Sequence, residues 1–321
     1  MCTSLSFHAA HHLFGRNLDL EYRYNEAVVV TPRHFSLFDS KEHPALIGTA
    51  TVFEGYPLYY DAMNEHGLCA AALNFTHSTV YHKPNKEKVN VPHYNVIAKI
   101  LSVCKNTHEA KRFCQNLNIT DEPFDDSLPV SKLHWMVADK YGCFVIESEV
   151  DGLYVKENPI GVLTNEPPFE YHLQNLKNYI NLSPISKDKN MWGGFEICSD
   201  SRGMGAVGLP GDCSSESRFV RAAFGLANSY RPEDDTEAVT QFFHLLGSVE
   251  FVSGLVRIDG KIDRTQYSSC YDTETLSYYY KTYDDMRIHT LGLCECDIDS
   301  SRLIQHPLSF TAHFDHINRK S

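Results

Sequence analysis

The chain has 321 residues, 42% of them hydrophobic, with 29 lysines and arginines against 41 aspartates and glutamates, a formal charge of −12. That length and apolar content can bury a sizeable core, while the acidic balance, with no lysine- or arginine-rich run, argues against nucleic acid and membrane surfaces as partners. With no export-type leader, no run of about 18 apolar residues and ten scattered cysteines, the sequence reads as a soluble cytoplasmic protein with reduced thiols.

Cys2 directly follows Met1. Removal of the methionine leaves a thiol and a free α-amine on one residue. The amine titrates at about 7.7 to 8.0 and the thiol at about 8.5, so near neutral pH an uncharged amine can take the thiol proton without a separate histidine. Position alone does not separate such a nucleophile from an incidental cysteine, so support has to come from the rest of the chain.

Cys2 to Phe7 and Leu13 to Asp19 read as two short strands around a polar turn at His8 to His12, a hairpin that fixes Cys2 at a sheet edge. Further strands are expected at Val28 to Thr31, Leu46 to Phe53, Leu68 to Phe75, Leu133 to Val137, Cys143 to Glu147 and Ile160 to Leu163. Helical patterns follow at Val96 to Asn116, Phe169 to Ile180, Ser214 to Asn228 and Thr236 to Leu246. Strands return at Thr265 to Tyr271, Leu276 to Tyr283 and Arg287 to Leu291. Strand blocks separated by pairs of helices, without regular β-α alternation, point to an α+β fold with two antiparallel sheets packed face to face and helices outside. No linker or repeat is present, so a single domain over residues 1–321 is expected.

In the second strand Arg16 and Leu18 share one face while Asn17 and Asp19 share the other. The hairpin return brings this segment beside Cys2, where a guanidinium favours thiolate and a carboxylate can hold the terminal ammonium. Attack on an amide passes through an oxyanion, which needs fixed donors. Asn74 closing a strand and Asn165 at a strand end are placed to supply them, although an isolated asparagine in such a place is more often a turn residue.

Other features carry less. Gly203 to Gly208 spells a G-x-G-x-x-G, but it neither follows a clear strand nor opens a helix, so a dinucleotide site is not expected. His8, His11 and His12 lack a third-ligand motif, and Cys294 with Cys296 is only a C-x-C pair; no metal is expected. His134 reads as core packing, and Tyr278 to Tyr280 as strand residues.

Several segments occur in order: Met1-Cys2-Thr3, Leu13-Phe14-Gly15-Arg16-Asn17-Leu18-Asp19, Met63-Asn64-Glu65-His66-Gly67-Leu68, Leu73-Asn74-Phe75, Leu133-His134-Trp135-Met136, Val162-Leu163-Thr164-Asn165, Gly208-Leu209-Pro210-Gly211-Asp212 and Ser217-Arg218-Phe219. Together they resemble the choloylglycine hydrolase family, the bile salt hydrolases and penicillin V acylases among N-terminal-nucleophile hydrolases. The match runs from residue 2 to the Tyr278-Tyr279-Tyr280 strand.

The resemblance implies a four-layer αββα sandwich. It also implies a catalytic set of Cys2 as nucleophile, Arg16 and Asp19 beside the sulfur, Asn165 (side chain) and Asn74 (backbone N–H) at the oxyanion, and Arg218 in support. It places a steroid site at Leu18, Phe53, Tyr60, Phe124 and Leu128, all apolar or aromatic as a cholane ring would require. Penicillin V acylases usually carry tyrosine where this chain has Asn74, which tilts the resemblance toward hydrolysis of glycine- or taurine-conjugated bile salts, without cofactor, by a homotetramer. The alternatives are a penicillin V or acyl-homoserine-lactone acylase, and a non-catalytic bile-acid binder that retains Met1.

Overall fold

A computed structural model describes residues 1–318 except Asp39 and Lys41. Its strands are β1 (Cys2–His8), β2 (His12–Leu20), β3 (Ala27–Thr31), β4 (Leu46–Phe53), β5 (Tyr56–Asn64), β6 (Cys69–Asn74), β7 (Val89–Pro92), β8 (Leu117–Thr120), β9 (Leu133–Asp139) and β10 (Gly142–Glu149). They continue as β11 (Gly152–Glu157), β12 (Val162–Leu163), β13 (Lys189–Trp192), β14 (Phe195–Cys198), β15 (Val256–Ile258), β16 (Lys261–Asp272), β17 (Ser277–Thr282), β18 (His289–Gly292) and β19 (Ile304–Pro307). The helices are α1 (Val96–Val103), α2 (Thr107–Gln115), α3 (Phe169–Asn175), α4 (Ser215–Asn228) and α5 (Asp235–Gly247).

Two antiparallel sheets carry the fold. The first runs β12-β1-β2-β16-β17-β18, with β15 pairing β16; the second runs β11-β10-β9-β6-β5-β4-β3-β19. Helices α4 and α5 lie on the first sheet and α1 and α2 on the second, while β1 and β2 face β6 across the middle. The αββα sandwich expected from the sequence is therefore present. Sheet one is covered on both faces, which explains why β2 is buried at every position but its last instead of alternating.

Two apolar clusters hold the layers. One fills the space between the sheets and beneath α4 and α5, with Phe14, Phe219, Phe242 and Leu246 fully buried. The other lies between sheet two and α1, with Val96, Ile100, Trp135 and Phe144. Each such side chain contributes about 1.5–3 kcal/mol when removed from water.

The expected single helix from Val96 to Asn116 is two. Cys104 is extended (φ −118°, ψ 141°), and the Asn106 side chain accepts from the Glu109 N–H at 3.0 Å to start α2. Asparagine followed three residues later by glutamate is a helix-start signature, so local capping overrides the run of helical propensity. The Phe169 to Ile180 helix is likewise α3 followed by a 3-10 turn at Leu176–Tyr179. Strand β5 was not expected. It is joined to β4 by Glu54 and Gly55, both at positive φ (49° and 80°), the two-residue turn that matches strand twist. The expected Ile160 to Leu163 strand shortens to β12, and β11 and β19 extend sheet two at its ends. The Gly203 to Gly208 stretch contains a 3-10 turn at Met204–Ala206 and opens no helix.

Candidate active site

The β1–β2 ladder pairs Cys2 with Leu18 and Ser4 with Arg16. Side-chain alternation then sends Cys2, Leu18 and Arg16 toward sheet two, and Thr3, Asn17 and Asp19 toward the helices. The contacts follow that division. Arg16 Nη1 donates to the carbonyls of Ala72 and Tyr60 in sheet two (3.1 Å to Tyr60), while Asn17 Nδ2 donates to Leu246 O in α5 at 2.9 Å.

Cys2 is 2% exposed. Its N–H donates to Asn165 Oδ1 at 2.9 Å, and its carbonyl accepts from Arg218 Nη1 at 2.5 Å. The same guanidinium reaches Thr3 Oγ1 at 2.6 Å and, through Nη2, Asn165 Oδ1 at 2.7 Å. Arg218 is fully buried on α4, and burial lowers its affinity for a proton against the pull of Asp19 and Cys2. One arginine thus ties the chain terminus, β1 and the Asn165 segment together.

Asn165 is fixed through every polar group it has. Its N–H donates to Ser215 Oγ (2.8 Å), its carbonyl accepts from His172 Nε2 (3.0 Å), and its Nδ2 donates to Asn74 O (2.8 Å). Nδ2 carries a second hydrogen. Asn74 ends β6, whose pairing with β5 stops at Asp61 opposite Ala71, so Ala72 to Asn74 have no ladder partner on that side. Both asparagines therefore sit where backbone and amide donors are not consumed by the sheet.

Arg16 is fully buried, and its Nη2 has no partner among the described residues. Burial disfavours its charge, but negative charge at Cys2, Tyr267, Asp61 and Asp19 together outweighs that and raises its pKa. Asp19 is fully buried. Its carboxylate accepts from Thr265 Oγ1 at 2.5 Å, with Oδ2 unpartnered among the described residues. The Met1 ammonium instead meets the Asp19 carbonyl at 2.5 Å and the Asp263 carboxylate at 3.5 Å. Burial raises the Asp19 pKa against the opposing charges of the terminal amine and Arg218. Asp263 is pushed up to about 6, by burial first, with the terminal amine opposing.

A cavity of about 420 Å³ opens beside Cys2 and Arg16. All five residues expected to line an apolar site, Leu18, Phe53, Tyr60, Phe124 and Leu128, are on its wall, as is Asn74. Phe124 packs edge-on against Phe53 (5.8 Å between centroids) and Tyr94 (5.2 Å). Tyr60 and Thr51 hydroxyls bond at 2.9 Å, placing polar groups on that wall. Asp19, Asn165 and Arg218 are set back from the wall, against the Met1–Cys2 backbone. A second cavity of about 350 Å³ is lined by polar residues such as His82, Lys83, Asn118 and Asp151 and shares no residue with the first.

Sequence reasoning missed Asp263, Ser215, His172 and the cavity residues Leu20, Tyr24 and Tyr94. Ser214 starts α4 by accepting from Ser217 N at 3.3 Å, but nothing local marks Ser215 as the partner of Asn165. Among the described residues, His11, Asp272 and Glu274 form one group of ligand-type atoms. His11 Nδ1 lies 2.8 Å from Asp272 Oδ2, and backbone N–H groups of Glu274 and Thr275 occupy Asp272 Oδ1.

The model of the linear amide C–N hydrolases, choloylglycine hydrolase family, matches residues 2–306. A bile salt hydrolase/transferase of Lactiplantibacillus plantarum is 45% identical, covering 99% of this chain and 100% of the relative; one from Clostridium perfringens is 35% identical with the same coverage. The crystal structure of a mutant conjugated bile acid hydrolase from Clostridium perfringens superimposes with a TM-score of 0.92, at 35% identity over 99% of this chain and 100% of that one. A penicillin V acylase from Agrobacterium tumefaciens, at 17% identity and a TM-score of 0.74 over 95% of this chain and 90% of that one, shares the fold. With a buried cysteine at its second position and a full-length match on both sequence and fold, the chain belongs to the choloylglycine hydrolase family of linear amide C–N hydrolases.

Proposed function

We propose that the protein hydrolyses the amide bond of glycine- or taurine-conjugated bile salts, with Cys2 as N-terminal nucleophile once Met1 is removed. The observation that carries this reading is the cavity. The Cys2 thiol and the Arg16 guanidinium share a wall with Leu18, Phe53, Phe124 and Leu128, so a flat apolar body can lie against rings while its amide reaches the sulfur.

In the mature chain the freed Cys2 amine takes the thiol proton and the thiolate adds to the amide carbon. The oxyanion is received by the spare Asn165 Nδ2 hydrogen and the Asn74 N–H. As the C–N bond breaks, the proton passes from the amine to the departing glycine or taurine, leaving a thioester. Water, deprotonated by the same amine, adds to the thioester; the C–S bond breaks, the bile acid leaves and the thiol is restored. Arg16 favours the thiolate, and Arg218 and Asp19 hold the terminus. These steps draw on the chain's own groups and one water molecule.

Amino-acid release from glycocholate and taurocholate, measured beside penicillin V for wild type and Cys2→Ala, tests the reading. Release from at least one conjugate that exceeds penicillin V turnover, and its loss in Cys2→Ala, is the expected result. Penicillin V cleaved far faster than both conjugates would refute the substrate assignment. Intact mass separates the enzyme from a non-catalytic binder, which would retain Met1.

A single domain, a cytoplasmic location and a homotetramer belong to the same proposal. The ten free cysteines support the location. The β13–β14 hairpin, exposing Met191, Trp192 and Phe195, supports self-association, since a lone two-stranded hairpin is marginal in water. A sedimentation mass of one chain would rule out the tetramer.

A further inference from the structure

Two donors that must meet one oxyanion come from segments 91 residues apart, and tolerances of roughly 0.5 Å decide whether such donors act together. The Asn165 side is anchored by Ser215, His172 and Arg218. Thr164 is held as well, its carbonyl accepting from buried His134 at 3.0 Å. On the Asn74 side, Asn74 pairs with Leu133 of β9 and the Phe75 N–H donates to Lys132 O at 2.9 Å, after which the chain turns at residues 76–78.

Glu166, the residue after Asn165, reaches across to that turn. Its Oε1 accepts from the His77 N–H and the Ser78 N–H, each at 2.8 Å, and its Oε2 accepts from Ser78 Oγ at 2.8 Å. A carboxylate that takes three donors from one turn is a strong, directional clamp, because charge-assisted hydrogen bonds are roughly twice as strong as neutral ones. With the Asn165 Nδ2 to Asn74 O bond, it makes a double strut between the two segments.

We infer that Glu166 is a positioning residue, whose carboxylate sets the Asn74 turn in register with Asn165 so that both donors converge on one oxygen. It touches no reacting atom. The inference rests on the amide-hydrolase reading above.

The test measures kcat and KM on glycocholate, with penicillin V in parallel as a second amide, for wild type, Glu166→Ala, Glu166→Gln and Ser78→Ala. Thermal midpoints and the rate of Cys2 alkylation by iodoacetamide are recorded for each. Loss of one oxyanion donor costs about 10²–10³ in kcat. Misalignment in Glu166→Ala is expected to lower kcat about ten- to a hundredfold, with KM changed less than about threefold. Alkylation stays at the wild-type rate, because thiolate formation does not use these donors. Glutamine keeps a carbonyl acceptor for the two N–H groups and restores most of the loss; Ser78→Ala, which removes a single bond, costs a few-fold.

Glu166→Ala turnover within twofold of wild type overturns the inference. So does a loss that glutamine leaves unrestored, or alkylation that falls in step with kcat. Should Glu166→Ala not fold, Ser78→Ala and Glu166→Gln decide: wild-type kcat in Ser78→Ala overturns the strut. Absence of wild-type turnover on glycocholate with turnover on penicillin V instead defeats only the substrate assignment.

Discussion

Cys2 is held by its backbone. The N–H is anchored by Asn165 Oδ1 and the carbonyl by Arg218, which leaves the side chain to face the cavity. Arg218 serves four oxygen acceptors at once, Cys213 O, Cys2 O, Thr3 Oγ1 and Asn165 Oδ1, a task for a planar fork rather than an ammonium. Arg218→Lys is expected to lower kcat on glycocholate at least about tenfold and to lower the thermal midpoint; wild-type kcat in a folded Arg218→Lys protein would show that the fork is dispensable. Cys2, Arg16, Asn74, Asn165 and Arg218 were legible in the sequence because each lies in a short, ordered motif. Asp263, Ser215 and His172 were not, since their roles arise only when β16, α4 and α3 are folded against a terminus up to 262 residues away. Asp19 was legible as a neighbour of the site, and with Met1 in place its carbonyl meets the terminal amine.

The β1–β2 hairpin is the element on which the site depends, and its turn carries a titrating brace. His12 is buried between Ser6 Oγ (2.8 Å from Nε2) and Thr273 Oγ1 (3.3 Å from Nδ1). Burial first, and then the neighbouring His8, push its pKa down from 6.5 to about 3. The fold favours the neutral ring, so this contribution is complete above pH 6.5 and lost as pH falls toward 3. Urea midpoints should drop more steeply from pH 6.5 to 4.5 in wild type than in His12→Gln; equal slopes would contradict the assignment. Gly15 in β2 is constrained in another way, since a Cβ there would lie 2.0 Å from Ser269 O. The strands of the hairpin were readable as two short runs around the polar turn at His8 to His12. The α1–α2 break was present as Asn106-x-x-Glu109 but was masked by continuous helical propensity. Strand β5 was masked because Tyr56 to Asn64 is legible only through the positive-φ turn that precedes it.

At the scale of the molecule, the cavity exists because the two sheets face each other at the chain terminus. Sheet one supplies Cys2, Arg16 and Leu18; sheet two supplies Phe53, Tyr60 and Asn74; the loop after β8 supplies Phe124 and Leu128. Phe124 lies among Phe53, Tyr56 and Tyr94, so its ring shapes the apolar wall of the cavity. Phe124→Ala should raise KM for conjugated bile salts about tenfold, equivalent to about 1.4 kcal/mol of lost contact, with a smaller change in kcat. An unchanged KM would remove Phe124 from the binding surface. The αββα order was legible from strand blocks flanked by helix pairs, whereas the edge strands β11 and β19 were not, because short, exposed edges carry little periodicity.

In this mechanism the acyl group passes through the first residue of the mature chain. Acid-quenched enzyme under turnover with glycocholate, digested and measured by mass, tests it most directly. The expected species is an N-terminal peptide that begins at Cys2, lacks Met1 and carries one cholyl group on sulfur. Unmodified Met1-Cys2 peptide in a preparation that still releases glycine would contradict it.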